Sequence, residues 1–248
     1  IDQLIFSDAS LKVSMKDVTV RSPESFLNAS DIDMALNFQN DSLMVTSLSG
    51  DYQGTDFQFD TVSATNMYNK LVKKRGEDIH VFGDFNFGKV DYENIQKLIA
   101  SVPKTDTNDS AEDNTEVPDT VPTEPLGFLA KGRFTVDEFK YNNAIFSDIR
   151  GLMRLSDSLY IVDKLKLNAF GGKMDNSLRF ETNKKGQQEI YVKNQVDSMD
   201  IKRVLRDMDH FGQNEIHEDN LSGILSLNFD SRVVFEGDSL RADLIRSQ

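Results

Sequence analysis

Few residues of this chain stand in arrangements that do chemistry. Gly237-Asp238-Ser239-Leu240 spells the nucleophile string of one esterase family, in which a serine Oγ attacks an ester carbonyl while a histidine takes its proton. That chemistry needs an activating His and an oxyanion hole built downstream, yet only eight residues follow Leu240 and none completes an Asp-x-x-His. The string reads as a turn. His210 and His217, with Glu215, Glu218 and Asp219 beside them, are metal-ligand types, but their spacing matches no standard zinc pattern, so exposed loop residues are expected. His80 stands alone beside a strand, in a structural role. Gly83 and Gly88 are followed by no Gly-Lys-Ser/Thr and so build no phosphate loop; within a strand pattern they mark bulges or tight turns. A non-enzymatic protein without cofactor or metal is expected.

Composition narrows the partners. The 248 residues carry 28 Lys+Arg against 41 Asp+Glu, a formal charge of −13, and no Cys. Disulfides, thiolate metal sites and cysteine nucleophiles are excluded. Phosphodiester backbones bind mainly through Lys and Arg, so no nucleic-acid partner is expected. The longest apolar run is four residues, Leu159-Tyr160-Ile161-Val162, against the roughly 20 needed to span a bilayer as a helix. The chain starts at Ile1 with no signal segment, so a piece of a longer protein is expected, with any anchoring segment missing.

The charge is unevenly spread. Residues 103–125 hold four of the five prolines, seven acids and one Lys, a share of −6 in the total of −13. Such a stretch buries too little apolar surface to offset chain entropy and reads as a disordered, solvated insertion.

Around it the chain repeats. Ser30-Asp31-Ile32 recurs as Ser147-Asp148-Ile149, Asp41-Ser42-Leu43 as Asp157-Ser158-Leu159, and Tyr52-Gln53-Gly54 as Phe170-Gly171-Gly172, at offsets of 117, 116 and 118. Val90-Asp91-Tyr92 matches Met199-Asp200-Ile201 at 109, so the second copy has shorter late loops. A third copy is expected from Gly223-Ile224-Leu225-Ser226-Leu227, which parallels Gly132-Arg133-Phe134-Thr135-Val136. Within each copy the apolar period is two, as in Ile32, Met34, Leu36 and Phe38, which predicts antiparallel meanders. One segment per copy switches to helical spacing behind a capping Asp: Asp91 to Ser101, and Asp200 to His210. The organisation expected is a first β-repeat over 1–102 ending in a helix, the insertion 103–125, a second β-repeat over 126–211, and the start of a third at 212–248. The fold class is mainly β: a curved antiparallel sheet of repeated meanders, groove-like, with two short amphipathic helices.

This order of Ser-Asp-Ile strand, Asp-Ser-Leu strand, Phe170-Gly171-Gly172 turn, further strands and a Met199-Asp200-Ile201 helix start resembles the carboxy-terminal repeat region of AsmA-like bacterial envelope proteins. Phe211-Gly212-Gln213 and Leu221-Ser222-Gly223 resemble the way that family enters its next strand set. The resemblance implies a Gram-negative, largely periplasmic protein held in the inner membrane by an amino-terminal helix absent here. It also implies a long curved sheet with an apolar trough, linked to phospholipid transport between the membranes and to outer-membrane integrity.

The groove candidates are Ile32, Met34, Leu36, Phe38, Phe57, Phe59, Ile149, Met153, Leu155, Leu178 and Phe180. Alternation of this kind usually marks a half-buried sheet, so within this segment the face is expected to be mostly self-packed. The rival reading is a structural or adhesive β-rich surface module binding protein or glycan. Asp-Ser/Thr-apolar strings at Asp41, Asp60, Asp109, Asp119, Asp157, Asp197 and Asp238 resemble the O-glycan acceptor that Bacteroides-type bacteria use on exported proteins. Ser110 and Thr120, in the insertion, are the candidate acceptors; the other five strings are read as turns.

Overall fold

The computed structural model describes residues 10–21, 28–71, 73, 78–101, 127–183, 187–213, 215–236, 239–240 and 246–247. The insertion 103–125, and with it Ser110 and Thr120, lies outside the described residues.

The first copy forms β1 (Ser10–Val20), β2 (Ala29–Gln39), β3 (Ser42–Tyr52), β4 (Thr55–Thr65), helix α1 (Met67–Leu71), β5 (Ile79–Asp91) and helix α2 (Tyr92–Ser101). The second forms β6 (Phe128–Tyr141), β7 (Ala144–Ser156), β8 (Leu159–Ala169), β9 (Gly172–Thr182), β10 (Gln188–Asp200) and helix α3 (Ile201–Asp207), followed by a 3-10 turn at Asp209–Gly212. Strands β11 (Ile224–Glu236), β12 (Ser239–Leu240) and β13 (Arg246–Ser247) complete the order. All thirteen strands belong to one open, curved sheet that runs β1 to β12 in chain order, with β13 also against β11.

The structure makes the repeat more regular than its strings. Ser42 to Leu159 and Thr55 to Gly172, the starts of β3/β8 and β4/β9, are both 117 residues apart, while Ile79 to Gln188 is 109. The Gln53-Gly54 and Phe170-Gly171 turns, with φ of 52° and 82° against 52° and 81°, are type I′ pairs at 117 rather than 118. The drop of eight is the loop before β5, residues 66–78, set against 183–187 before β10: thirteen residues against five. Helix α1 fills that longer loop and has no counterpart. Its amino end is held by the Asp41 turn, whose Oδ1 accepts from Tyr68 N at 2.5 Å and Asn69 N at 3.2 Å.

Three expectations are corrected. Every neighbouring pair is antiparallel except β5 and β6, which run parallel in register from Ile79↔Phe128 to Asp91↔Lys140. A parallel return needs a crossover of a dozen or more residues, and residues 92–127, comprising α2 and the acidic insertion, provide it. Second, the helix expected to reach His210 ends at Asp207; Asp200 caps it through Lys202 N at 2.9 Å, but Asp209, His210 and Phe211 all adopt left-handed φ and turn the chain away. Third, β11 is antiparallel to β10, and Gly223 precedes the strand, whereas Gly132 sits inside β6 beside Gly83. The third strand set is therefore not entered as the second is.

Curvature has a local cause. Register shifts at Asp17, Asp31, Thr61, Asp148, Lys164 and Ser198 coincide with φ of 52–60° at each of these residues. Each is a β-bulge of the left-handed kind, which bends its strand and steepens the twist. Asp31 and Asp148 lie 117 apart, so the repeated Ser-Asp-Ile string encodes a bulge.

Candidate functional site

Strand pairing sorts the side chains into rows that cross the sheet. One row runs Leu11, Phe38, Leu43, Ala64, Val81, Ala130, Leu155, Tyr160, Phe180, Ile190 and Val233, one residue from each strand from β1 to β11. A second contains Leu36, Val45 and Val62 on one side and Met153, Val162, Leu178 and Val192 on the other, bridged by Gly83 and Gly132. Met34, Leu48, Phe59, Phe85 and Phe134 make a third; Ile32 and then Phe57, Phe87, Val136 and Ile149 lie along a fourth. All eleven groove candidates thus share one face. Sequence reasoning left out Leu43, Val45, Leu48, Val81, Ile190 and Val192 as groove residues, although they occupy the same alternate positions as the residues chosen.

Among the described residues no second sheet lies on that face. Ile149 is buried, Leu178 is 39% exposed, and the other nine candidates are half-buried. The aromatic floor is tight nonetheless: Phe59 stacks edge-on to Phe85 and Phe87 with centroids 5.3 and 5.4 Å apart. Gly83 and Gly132 are the close approach, since a Cβ on Gly132 would lie 2.1 Å from the Gly83 carbonyl oxygen.

The helices close the edges, not the face. Strands β5, β6, β8 and β10 point one way, so α2 and α3, which follow β5 and β10, stand at the same edge of the sheet. Beside α2, an apolar cleft of about 370 Å³ is lined by Tyr52, Phe87, Val90, Ile95, Val136 and Phe139. Helix α3 buries Leu205 and lays Val204 and Met208 on the cluster Ala144, Ala169, Phe170, Val196 and Met199. Asp41 holds α1 at the opposite edge.

One feature interrupts the apolar face. Asn176 and Asn194 face each other on β9 and β10, between Leu165 and Phe229, and their Oδ1 atoms are buried without a hydrogen-bond partner. The other face is polar and laddered with cross-strand pairs: Arg133 with Asp84, Lys166 with Asp175 at 3.2 Å, and Arg232 with Glu189 at 2.7 Å. The Arg133 guanidinium, chiefly through its hydrogen bond, holds the Asp84 carboxyl below the usual carboxylate range.

The remaining chemistry-bearing residues are placed as follows. His80 packs edge-on against Phe82 at 6.2 Å, as a structural residue does. Ser239 lies in the two-residue β12, opposite Glu236. His210, His217 and Glu218, expected to be exposed loop residues, instead converge half-buried, with one ligand atom of each within 4.8 Å of the others.

No protein-family model, curated protein or solved structure matches this chain.

Proposed function

We propose that this chain is a non-enzymatic segment of an AsmA-like periplasmic protein whose apolar sheet face carries phospholipid acyl chains between the inner and outer membranes. The observation that carries the reading is the unbroken apolar row from Leu11 to Val233 on a face with no second layer among the described residues. Contiguous exposed apolar patches above a few hundred Å² mark interaction surfaces. At roughly 4.8 Å per strand, ten intervals give a trough about 48 Å long. The rows run along the trough, across the strands, so an acyl chain lying in it meets methyl and aromatic groups at every step of the first row, where the Tyr160 hydroxyl is the one polar side-chain group. Each methylene removed from water contributes about 0.8 kcal/mol, so a chain of about 16 carbons half-covered by the trough gains about 6 kcal/mol, enough for retention and exchange. Anchoring in the inner membrane of a Gram-negative cell, and a role in outer-membrane integrity, are parts of the same proposal drawn from the resemblance.

The test is photo-crosslinking from Phe38 and Leu155, which lie in one row on opposite sides of the β5·β6 junction, with lipid extraction and mass spectrometry of the purified protein. Phospholipid captured at both positions supports the reading. Capture of a protein or glycan with no lipid, in a longer version of the chain, would replace the trough with an adhesive module.

A further inference from the structure

We propose that His210, His217 and Glu218 form a divalent transition-metal site, of the kind suited to Zn²⁺, that clips the connection between α3 and β11. Two imidazoles and one carboxylate are a recurrent three-ligand set for Zn²⁺, with the fourth position left to water. The three groups reach one point from a short stretch of chain: the His210 Nε2 touches the Glu218 Oε2, and the two imidazole centroids are 4.8 Å apart. An ion pair needs only two of these groups. The second ring nitrogen, inside the same 4.8 Å, completes a ligand set.

The backbone is arranged to produce that convergence. Asp209, His210 and Phe211 are consecutive non-glycine residues at φ of 48°, 52° and 56°, a left-handed conformation that side chains with a Cβ disfavour and that turns the His210 segment back from the axis of α3. The turn is tied to the helix through Met208 N to Val204 O at 3.1 Å and Phe211 N to Met208 O at 3.0 Å. On the other side, Gln213 folds the loop: its Oε1 accepts from Glu215 N and Ile216 N, and its Nε2 donates to Ile216 O, all within 2.8 Å. His217 is thereby returned to His210 seven residues after it. Arg206, whose charge also reaches Glu218, is oriented toward Asp207, with its Nε donating to Asp207 Oδ1 at 2.8 Å. Ligands around four-coordinate Zn²⁺ sit about 3.3 Å apart, so binding closes the widest separation, at most 4.8 Å, by up to about 1.5 Å and slightly parts the His210–Glu218 contact. The clip fixes the segment that carries α3 onto the trough edge and leads into β11, where the carbonyl of Gly223, just before the strand, accepts from Ile201 N at 3.1 Å.

The chain without a polyhistidine tag is titrated with ZnCl₂ by calorimetry, and its Co²⁺ complex is examined by visible absorption. The expected result is one equivalent bound at micromolar Kd or tighter, at least about tenfold weaker in folded His217→Ala and Glu218→Gln and unchanged in His80→Ala, which removes the remaining histidine. Intense four-coordinate d–d bands of Co²⁺ are expected from the unaltered chain, a result that depends on no variant folding. Absence of binding up to about 1 mM, a hexaaqua-like Co²⁺ spectrum, or affinity unaffected in folded His217→Ala overturns the site.

Discussion

Replacing Glu189 by Gln removes one charge from a buried carboxylate on the polar face while keeping its shape. Glu189 is 6% exposed and accepts from Tyr191 Oη at 2.5 Å, Asn183 Nδ2 at 2.8 Å, and Arg232 Nε and Nη2 at 3.0 and 2.7 Å. The Tyr191 hydrogen bond, then those of Asn183 and Arg232, outweigh burial and lower its pKa from the ordinary 4.5 to about 2. The same contact pushes the Tyr191 hydroxyl up. Because the folded-state value lies below the unfolded one, the stabilisation is fully present above pH 4.5 and is lost as pH falls from 4.5 toward 2. At 1.36 kcal/mol per pH unit its ceiling is about 3.4 kcal/mol. The Arg232 side chain is 34% exposed, so water screens the pair and about 1.5–2 kcal/mol is the expected cost of Glu189→Gln at pH 7. At pH 3 the same linkage leaves less than half of that, under about 1 kcal/mol. Urea unfolding followed by far-UV circular dichroism at both pH values measures the gap, and hydrogen exchange of β10 and β11 amides locates it. A gap that stays constant or widens as pH falls would refute the charge-based account.

Gly132→Ala is expected to destabilise the chain by about 1–3 kcal/mol, because its Cβ would meet the Gly83 carbonyl at 2.1 Å and the Phe85 ring at 2.7 Å; a thermal midpoint unchanged from the parent would contradict that close approach. Deleting 103–125 is expected to abolish the parallel β5·β6 pairing: α2 at 1.5 Å per residue plus three remaining residues reach about 25 Å, whereas the return along thirteen-residue β5 is about 43 Å. The chain has no Cys, so introducing cysteines at Asn86 and Thr135, partners in that pair, and bridging them with a short bismaleimide reads this directly. Cross-linking in the intact chain and its loss on deletion are expected; equal cross-linking would show that the insertion is not needed for the return.

Strand positions and the two longer helices were legible because their signals are local: period-two alternation gives β2 and β7, and Asp91 and Asp200 stand at the helix starts they cap. Helix α1 carries no such signal, since five residues are too few for a periodic pattern and the carboxylate that caps it, Asp41, lies 27 residues upstream of Tyr68. Strand direction at the copy junctions is also silent in sequence. A Pro-rich acidic stretch reads as solvated whatever the direction of the strand that follows it. His210, His217 and Glu218 have no recognisable spacing because three left-handed residues and the Gln213 side chain bring them together, and neither leaves a pattern of residue types. Alternation places side chains on a face but does not say whether anything covers it. That was decided by topology.

The parallel junction determines what an array of such copies becomes. Each copy contributes five strands in a meander, an odd number, so its first and last strands point the same way. With β5 and β6 parallel, the second copy starts in the direction the first ended, and α2 and α3 fall on one edge. Had that junction been a hairpin, the second copy would be inverted and the helices would cap opposite edges. Parallel joining therefore makes the copies related by translation along the trough, with the apolar rows continuing from Leu11 through Val81 and Ala130 to Val233. The β10·β11 junction is a hairpin in this sense, so a five-strand copy beginning at β11 would place its helix on the other margin while leaving the row pairing Ile190 with Val233 unbroken. The trough is thus indifferent to the kind of junction, because a row needs only one residue per strand, and the helices are what record it.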